Sequence, residues 1–305
     1  MNPSKLAYTK IALAMAIVGS SVVFGKLIIS SFPVFLASEL RFIIASIILI
    51  PLLLRQEKQF PYIRYKDLFI LFLQALTGVF LFNVFMLYGL KFTTAIEAGI
   101  ITSTLPAVIG LVSFLFLKER LTIKKGFGII FAVLGVLLIN FIGGELSNLN
   151  SLLGNFLILG AVLGETLFIT FGKLVSNRLT PLTISTMMSI FGLIMFLPFS
   201  IYEAMDFDFS SVGMGDWINI LYFGIVVTVF AFLLMYQGLS KVSASSAGVL
   251  TSVLPLSSIT LSFLILKEEF LLTHFLGMLF VLIAIFFISK DSSDVDLEIK
   301  SSISQ

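Results

Sequence analysis

The sequence predicts an all-α integral membrane protein with ten transmembrane helices, arranged as two inverted five-helix repeats. Three observations predict this fold: an apolar composition, ten long apolar runs, and a match between the two halves of the chain. Of the 305 residues, 58% are hydrophobic and 12% are charged, whereas soluble domains carry roughly 45–50% and about 25%. We therefore expect the lipid bilayer to surround most of the chain.

Ten apolar runs have the length of about 20 residues that a helix needs to cross the hydrocarbon core of a bilayer. They are predicted at 9–29, 35–54, 68–90, 95–117, 126–143, 152–173, 182–200, 216–238, 244–266 and 272–289. These runs lack period-two alternation, so a membrane β-barrel is not expected. The first run ends without a small-residue cleavage site, and we interpret it as a retained span rather than a signal peptide.

Lysine and arginine residues predict how these helices are oriented. Fifteen of them fall on one side of the predicted membrane, three fall on the other side, and Arg41 falls inside a span. Because positive residues are enriched on the cytoplasmic side, we expect both termini to be cytoplasmic. The polar segment 290–305 is predicted to be a disordered cytoplasmic tail. The expected location is the bacterial inner membrane, which the chain crosses many times.

The two halves of the chain resemble each other in sequence. Residues 86–131 align without gaps to 235–280, and 18 of the 46 pairs are identical. The matched pairs include Gly99 with Gly248, Thr102 with Thr251, Ser103 with Ser252, Pro106 with Pro255, Lys118 with Lys267 and Glu119 with Glu268. We predict repeats at 1–146 and 147–289. Because five spans is an odd number, the second repeat starts on the opposite face, as in many secondary transporters.

Pro106 and Pro255 lie near the centres of the fourth and ninth predicted helices. A proline inside a helix removes one backbone hydrogen bond, and we expect the freed carbonyl groups to be those of Thr102 and Thr251. Helix breaks related by repeat symmetry point to a binding site near the membrane midplane. The candidate substrate- or proton-binding residues there are four residues with hydroxyl groups: Thr102, Ser103, Thr251 and Ser252. The alternative is a packing kink whose carbonyls are capped by the same hydroxyls.

Glu165 lies near the centre of the sixth predicted helix, where the first repeat has Val18. The repeat therefore does not require a carboxylate at this position. Because an ionised side chain at the bilayer centre costs at least about 2.5–3.5 kcal/mol, such residues usually have a function. We interpret Glu165 as a proton or cation site. The alternative is a protonated side chain that hydrogen-bonds to a neighbouring helix.

Four further polar residues are candidates for contact with a substrate. Glu39 and Arg41 are two positions apart on the second helix, so they point to nearly opposite faces and are not expected to pair. Arg41 fits contact with a substrate carboxylate as well as a structural pairing, and Glu39 is equally open. Asn83 and Tyr236 carry groups that can bind a polar metabolite, although Tyr236 also suits the membrane interface, where tyrosine is common.

Two segments of the form "AxxAG…TSxLP…SFLxLKE", which begin at Ala95 and Ala244, resemble the EamA-type members of the drug/metabolite transporter superfamily. The second span, with Pro33 and Arg41 in "FPVFLASELRF", also resembles this family. The resemblance covers about 5–290. It implies a central cavity lined mainly by the third, fourth, eighth and ninth helices, with the first and sixth helices packed close by. It also implies export of small metabolites, often amino acids or related solutes. The first span lacks the tryptophan that the family often has there.

We therefore expect a secondary active transporter that exports small metabolites by alternating access, with a proton or a counter-substrate as coupling partner. The second interpretation is proton-coupled efflux of organic cations through Glu165. With one His and no Cys, the chain has little for a transition-metal site. No cofactor, nucleic-acid partner or catalysis is expected, and the chain is predicted to be a monomer or homodimer. The GxGD string at 213–216 matches intramembrane aspartyl proteases, but its Asp216 lies at a loop boundary.

Overall fold

A computed structural model describes residues 3–58, 61–117, 123–138, 149–242, 247–248, 250–269, 271–272, 275–280, 282–284 and 286–287. All of the regular secondary structure in this part of the chain is helical. Lys118, Glu119 and the predicted tail 290–305 lie outside the described residues.

The helices follow the predicted apolar runs and are numbered with them. They are α1 (Pro3–Ser31), α2 (Val34–Glu57), α3 (Tyr65–Phe92), α4 (Ala95–Thr102 and Leu105–Leu117), α5 (Ile123–Leu138), α6 (Leu149–Val175), α7 (Pro181–Met205), α8 (Met214–Leu239) and α9 (Val253–Leu266). Seven described helices are long and apolar enough to cross a membrane, and shorter apolar helices lie at Gly126–Gly135, Val253–Leu266 and Phe275–Ala284. The prediction of an all-α protein with several membrane spans is confirmed.

α2 and α7 pack side by side and run in opposite directions. At one end, the Glu57 carboxylate of α2 accepts hydrogen bonds from the hydroxyls of Thr180 and Thr183, at 2.5 and 3.1 Å, where α7 begins. At the other end, the Glu203 carboxylate of α7 accepts a hydrogen bond of 2.8 Å from the backbone N–H of Leu36, where α2 begins. Each carboxylate complements the positive end of the partner helix, so the last turn of each helix secures the first turn of the other.

Two lysines tie helix ends together in the same way in the two halves. Near the C-terminal end of α1, Lys26 donates to the carbonyl of Leu90 and, at 2.5 Å, to that of Thr93. At the equivalent position of α6, Lys173 donates to the carbonyls of Leu239 and Val242, at 2.9 and 2.7 Å. A helix leaves its last carbonyls without internal partners. Each ammonium therefore satisfies the C-terminal end of a neighbouring helix, α3 or α8.

Two glycines allow those helices to approach closely. A Cβ atom at Gly89 of α3 would lie 2.6 Å from Ile158 Cδ1 and 3.1 Å from the Gly154 carbonyl oxygen of α6. A Cβ atom at Gly238 of α8 would lie 2.4 Å from Ile11 Cγ1 and 2.9 Å from the Ala7 carbonyl oxygen of α1. Small residues permit this kind of close helix packing in membranes. α3 therefore packs on α6 as α8 packs on α1.

The C-terminal ends of α3 and α8 contact α1 near its opposite ends. Lys26 contacts the end of α3, whereas Lys10 donates a hydrogen bond of 2.7 Å to the Gln237 side chain near the end of α8. The sixteen-residue separation of the two lysines corresponds to about 24 Å along a helix. The C-terminal ends of α3 and α8 are therefore separated by most of the length of α1.

Candidate functional site

Glu165 and Arg41 line the same buried cavity between the two halves of the chain. Its wall combines the two charged groups with apolar side chains. The lining residues are Met15, Val18, Ser21, Arg41, Gly78, Phe82, Glu165, Phe168, Val227, Ala231, Phe232 and Met235. α1 and α6 contribute five of these residues and α3 and α8 contribute six, so the first and sixth helices line the cavity directly rather than only packing close by, as the resemblance implied.

A second lobe continues from the first and shares Val18, Ser21, Phe82 and Glu165 with it. Thr102, from the broken helix α4, lines this second lobe. Glu165 therefore stands where the two spaces meet, and its side chain is 6% exposed. Within the described residues, no ion pair joins it to Arg41. The cavity thus holds a carboxylate and a guanidinium that are both available to a third group.

Arg41 is held in the cavity wall by α3. Its Nη1 donates a hydrogen bond of 2.7 Å to Asn83 Oδ1, and its guanidinium lies 4.7 Å and 4.9 Å from the ring centroids of Phe42 and Phe223. Asn83 in turn donates 2.5 Å to the carbonyl of Val79. These contacts account for the orientation of the guanidinium, whose Nε has no hydrogen-bond partner among the described residues.

The acceptor carbonyl of Val79 lies in a π-helical segment, Leu76–Leu81, in the middle of α3. A π turn disturbs the regular backbone bonding of an α-helix and occurs frequently at functional sites. α8 has a similar π segment at the equivalent place, Phe223–Phe230. Both helices are therefore irregular beside the cavity.

Glu39 lies elsewhere. Its side chain is 3% exposed, and neither carboxylate oxygen has a hydrogen-bond partner in the part of the chain that the structure describes. It does not line the cavity that contains Arg41 and Glu165. The expectation that Glu39 and Arg41 do not pair agrees with this arrangement.

Tyr236 is buried between helices rather than exposed on the protein surface. The side chain is 1% exposed, and its hydroxyl accepts a hydrogen bond of 2.7 Å from Gln74 Nε2, which also donates 2.9 Å to the carbonyl of Phe168. The rings of Phe168 and Phe232 lie 5.8 Å and 6.4 Å from that of Tyr236. Because both phenylalanines line the cavity, Tyr236 packs directly behind its wall.

Pro106 and Pro255, which are predicted hinges or helix breaks, each lie in the first turn that follows a helix interruption rather than at a kink in a continuous helix. α4 is interrupted at Ser103 and Thr104, so Pro106 is the second residue of a new helical segment, a position that proline tolerates well. In α9, Pro255 is likewise in the first turn of Val253–Leu261. The carbonyl of Thr251 is not free, because it accepts a hydrogen bond of 3.0 Å from the backbone N–H of Leu254.

The hydroxyl residues at these breaks do not converge on one site. The Thr102 and Thr251 hydroxyls donate to the carbonyls of Gly99 and Gly248, at 2.8 and 2.6 Å. Of the two, only Thr102 lines the lobe beside Glu165. A separate, smaller pocket is lined instead by Ser103, Ser252 and Pro255, together with Met278 and Leu282. The breaks thus serve two different spaces.

Asp216 of the GxGD string caps the start of α8. Its carboxylate accepts hydrogen bonds of 3.2 Å from the backbone N–H of Gly213 and of 2.7 Å from the Ser31 hydroxyl. This is the helix-capping use of an acidic residue, and it places Asp216 at a helix end rather than within the membrane interior.

A search of protein-family models finds the EamA-like transporter family twice in this sequence, at residues 5–141 and 152–290. The chain belongs to the EamA-like transporter family. An uncharacterized transporter of Bacillus subtilis, YetK, is 49% identical over 92% of this EamA-family chain and 86% of its own length. An uncharacterized transporter of Archaeoglobus fulgidus is 30% identical over 85% and 89%. This membership confirms the predicted resemblance and points to a membrane transporter rather than an enzyme.

A crystal structure of a protein that is 15% identical superposes on this EamA-family chain with a TM-score of 0.67, covering 94% of this chain and 98% of the other. At that identity the likeness concerns the fold alone.

The sequence reasoning missed Gln74, which joins α3, α6 and α8 from a position with no accessible surface. A signal was present, because the repeat-equivalent residue is Phe223. A polar residue that replaces an apolar one in a repeated membrane helix is the same signal that identified Glu165.

Proposed function

We propose that this EamA-family chain is a secondary active transporter that exports small metabolites, amino acids or related solutes, across the bacterial inner membrane by alternating access. The observation that carries this proposal is the cavity in which Arg41 and Glu165, from different halves of the chain, are both buried without forming an ion pair. A charge at membrane depth is costly unless it pairs with a partner or serves a transported solute.

The chemistry of the two groups suits a solute with two polar ends. A guanidinium binds a carboxylate through parallel hydrogen bonds, and a carboxylate binds an ammonium group or a proton. The Arg41 guanidinium would bind the acidic end and Glu165 the basic end, while apolar side chains such as Phe82 and Phe232 contact the rest. Asn83 would hold Arg41 in place for this role. Thr102 would provide a hydroxyl in the second lobe.

The proposed mechanism requires two halves that are related by inversion, with repeats at 1–146 and 147–289 and ten spans in total. The matched contacts of Lys26 with the end of α3 and of Lys173 with the end of α8 support this relation, because these two helix ends lie near opposite ends of α1. So does the antiparallel pair α2 and α7, in which Glu57 and Glu203 each cap the partner helix. An even number of spans would put both termini on the same side of the membrane, and the lysine and arginine distribution makes that side the cytoplasm. The proposal applies equally to a monomer and to a homodimer.

Purified protein in liposomes tests this function. We expect amino-acid counterflow with the wild-type protein and a strong loss with Arg41→Met, because the substrate carboxylate would lose its partner. Glu165→Gln should remove the dependence of transport on pH or on a proton gradient. Glu203→Gln is the matched control, because this carboxylate caps the start of α2 and does not line the cavity. If Glu165→Gln transports normally at every pH with full coupling, its coupling role is wrong.

A second candidate is proton-coupled efflux of organic cations through Glu165. This function is favoured by the aromatic residues Phe82 and Phe168, which line the cavity together with Glu165. Aromatic faces attract cations. The same liposomes distinguish the two functions. A cation substrate would be transported at least as well by Arg41→Met as by the wild type, whereas an amino acid would not.

A further inference from the structure

A carboxylate from the second half of the chain caps the first turn of α4 in the first half. Glu268 accepts hydrogen bonds from the backbone N–H groups of Ala95, at 3.0 Å, and of Ile96, at 2.8 Å. These groups are among the four N–H groups that a helix leaves without internal partners at its start. The contact joins residues 173 and 172 positions apart in sequence, so the end of α9 is attached directly to α4.

The backbone around Glu268 is arranged for this contact. α9 ends at Lys267, which adopts a left-handed conformation with φ 53°. Residues other than glycine occupy this region at a cost. The left-handed turn ends the helix one residue before Glu268, whose side chain then reaches the first turn of α4.

Other charged and polar groups surround the same junction. The Lys26 ammonium, which ties the end of α3, interacts electrostatically with both Glu268 and Glu97. Thr94 caps α4 by accepting 3.1 Å from the backbone N–H of Glu97, and the Thr93 hydroxyl donates to the Glu97 carboxylate. The connection between α3 and α4 is thus bonded closely to the end of α9.

The packing of α4 against α9 is tighter on the Glu268 side than on the other side. A Cβ atom at Gly99, one turn into α4, would lie 3.0 Å from Ser258 Oγ and 3.0 Å from Ile259 Cγ1. At the repeat-equivalent Gly248, the nearest atom would be Ile109 Cγ2 at 3.5 Å. Apolar side chains complete the tight side: Ile96, Ile100 and Ile259, with Met278 against them.

We propose that Glu268 is a latch that holds α4 and α9 together and closes the central cavity on its own side of the membrane. The inference rests on the proposed alternating access, because only then does the junction have to open. Release of the carboxylate from Ala95 and Ile96 would free α4 to separate from α9 at Gly99. The cavity around Ser21 and Glu165 would then open toward the face that bears Glu268.

The absence of cysteine from the sequence allows a direct test. Ser21 lines both lobes of the cavity, so Ser21→Cys introduces a single thiol whose reaction with a membrane-impermeant maleimide reports access. The rate is measured from each face separately, in right-side-out and inside-out vesicles without substrate. With Glu268→Gln added, we expect the labelling rate from the face that bears Glu268 to rise about tenfold, the change that corresponds to about 1.4 kcal/mol. The labelling rate from the opposite face should fall or stay constant.

Glu203→Gln in the same Ser21→Cys background is the matched control, because it weakens another carboxylate cap on a helix start, between α7 and α2. It should leave both rates unchanged. Gly99→Ala is an independent variant that wedges the tight contact with Ser258, and it should raise the rate from the same face as Glu268→Gln.

The latch is refuted if Glu268→Gln and Gly99→Ala leave the rates as they are, or if Glu203→Gln raises them equally. Because labelling needs no solute, this result is separable from a failure of transport. If the Ser21→Cys protein transports solute normally while Glu268→Gln and Gly99→Ala leave its labelling unchanged, the latch alone is refuted. If the Ser21→Cys protein with Glu268 intact transports no solute, while Glu268→Gln changes the labelling as expected, the proposed function is refuted and the latch is kept.

Discussion

The hydrogen bonds that Lys26 and Lys173 make to helix ends match closely between the two halves of the chain, whereas the residues that line the central cavity differ between the halves. Each lysine donates to two backbone carbonyls at the end of a neighbouring helix. In the cavity, Glu165 has Val18 as its repeat-equivalent residue and Arg41 has Met188.

This difference separates two kinds of requirement. The same helix interface serves both copies of a repeated unit, and both copies have matching glycine and lysine contacts. A solute with two chemically different ends needs different groups at the two sides of its site. The matched contacts therefore concern packing, whereas the unmatched charges are the ones that we propose for binding.

The largest expected effect comes from breaking the matched packing. Gly238→Val would force branched carbon atoms into Ile11 and the Ala7 carbonyl, and Gly89→Val would do the same against α6. We expect both variants to lose more than the roughly 1–3 kcal/mol typical of overpacking and to fail to accumulate as folded protein. Gly110→Ala, with no atom of the described residues within 4 Å of its Cβ position, should fold normally. Thermal unfolding in detergent measures all three, and a stable Gly238→Val protein would contradict the close approach of α8 and α1.

A second prediction removes the asymmetry of the cavity. Arg41→Met places the residue of the second repeat in the first, and it leaves the side-chain oxygen of Asn83 without its donor. Removal of one partner of a buried charged hydrogen bond typically costs about 2–5 kcal/mol. We expect amino-acid binding, followed by calorimetry, to weaken about 100-fold, which corresponds to about 2.7 kcal/mol. Unchanged affinity would exclude Arg41 from the site.

A third prediction sharpens the comparison of the two lysines. Lys26→Met and Lys173→Met should each lower the free energy of unfolding by about 1–2 kcal/mol, because each leaves two helix-end carbonyls without their charged donor. Equal losses are expected in thermal unfolding, since the contacts match. Only Lys26→Met should also change the labelling of the Ser21→Cys thiol, because Lys26 interacts with Glu268. An equal change with Lys173→Met would argue against a one-sided latch.

The smallest expected effect concerns the two left-handed residues. Lys58 and Lys267 have φ values of 61° and 53°, a conformation that costs about 1–2 kcal/mol for a residue with a side chain. Lys58→Gly and Lys267→Gly should each raise the free energy of unfolding by up to about 1 kcal/mol. The gain is smaller than the relieved strain because glycine has more conformational freedom in the unfolded chain. Lys58→Ala is the control and should give no gain. A loss of stability in either glycine variant would contradict the backbone strain.

Among the candidate residues, the sequence predicted burial better than it predicted partners. The position of Glu165 in an apolar run, with valine at its repeat equivalent, was enough to place it inside the membrane. The hydrogen bond between Arg41 and Asn83 was not predictable, because 42 residues separate them and no local periodicity relates one helix to another. Gln74 was missed for the same reason, since its partners are on α6 and α8.

By itself, the sequence determined the class of protein, because the length and composition of its apolar runs are properties of each helix alone. Its internal match also led to the family, which the family models confirm. Only the tertiary structure decided which polar groups share a space. Glu165 and Arg41 line one cavity, Ser103 and Ser252 line another, and Glu39 lies apart from both. The physical reason is that the rotation of each helix is set by the close contacts at its glycines and ends, which come from other helices.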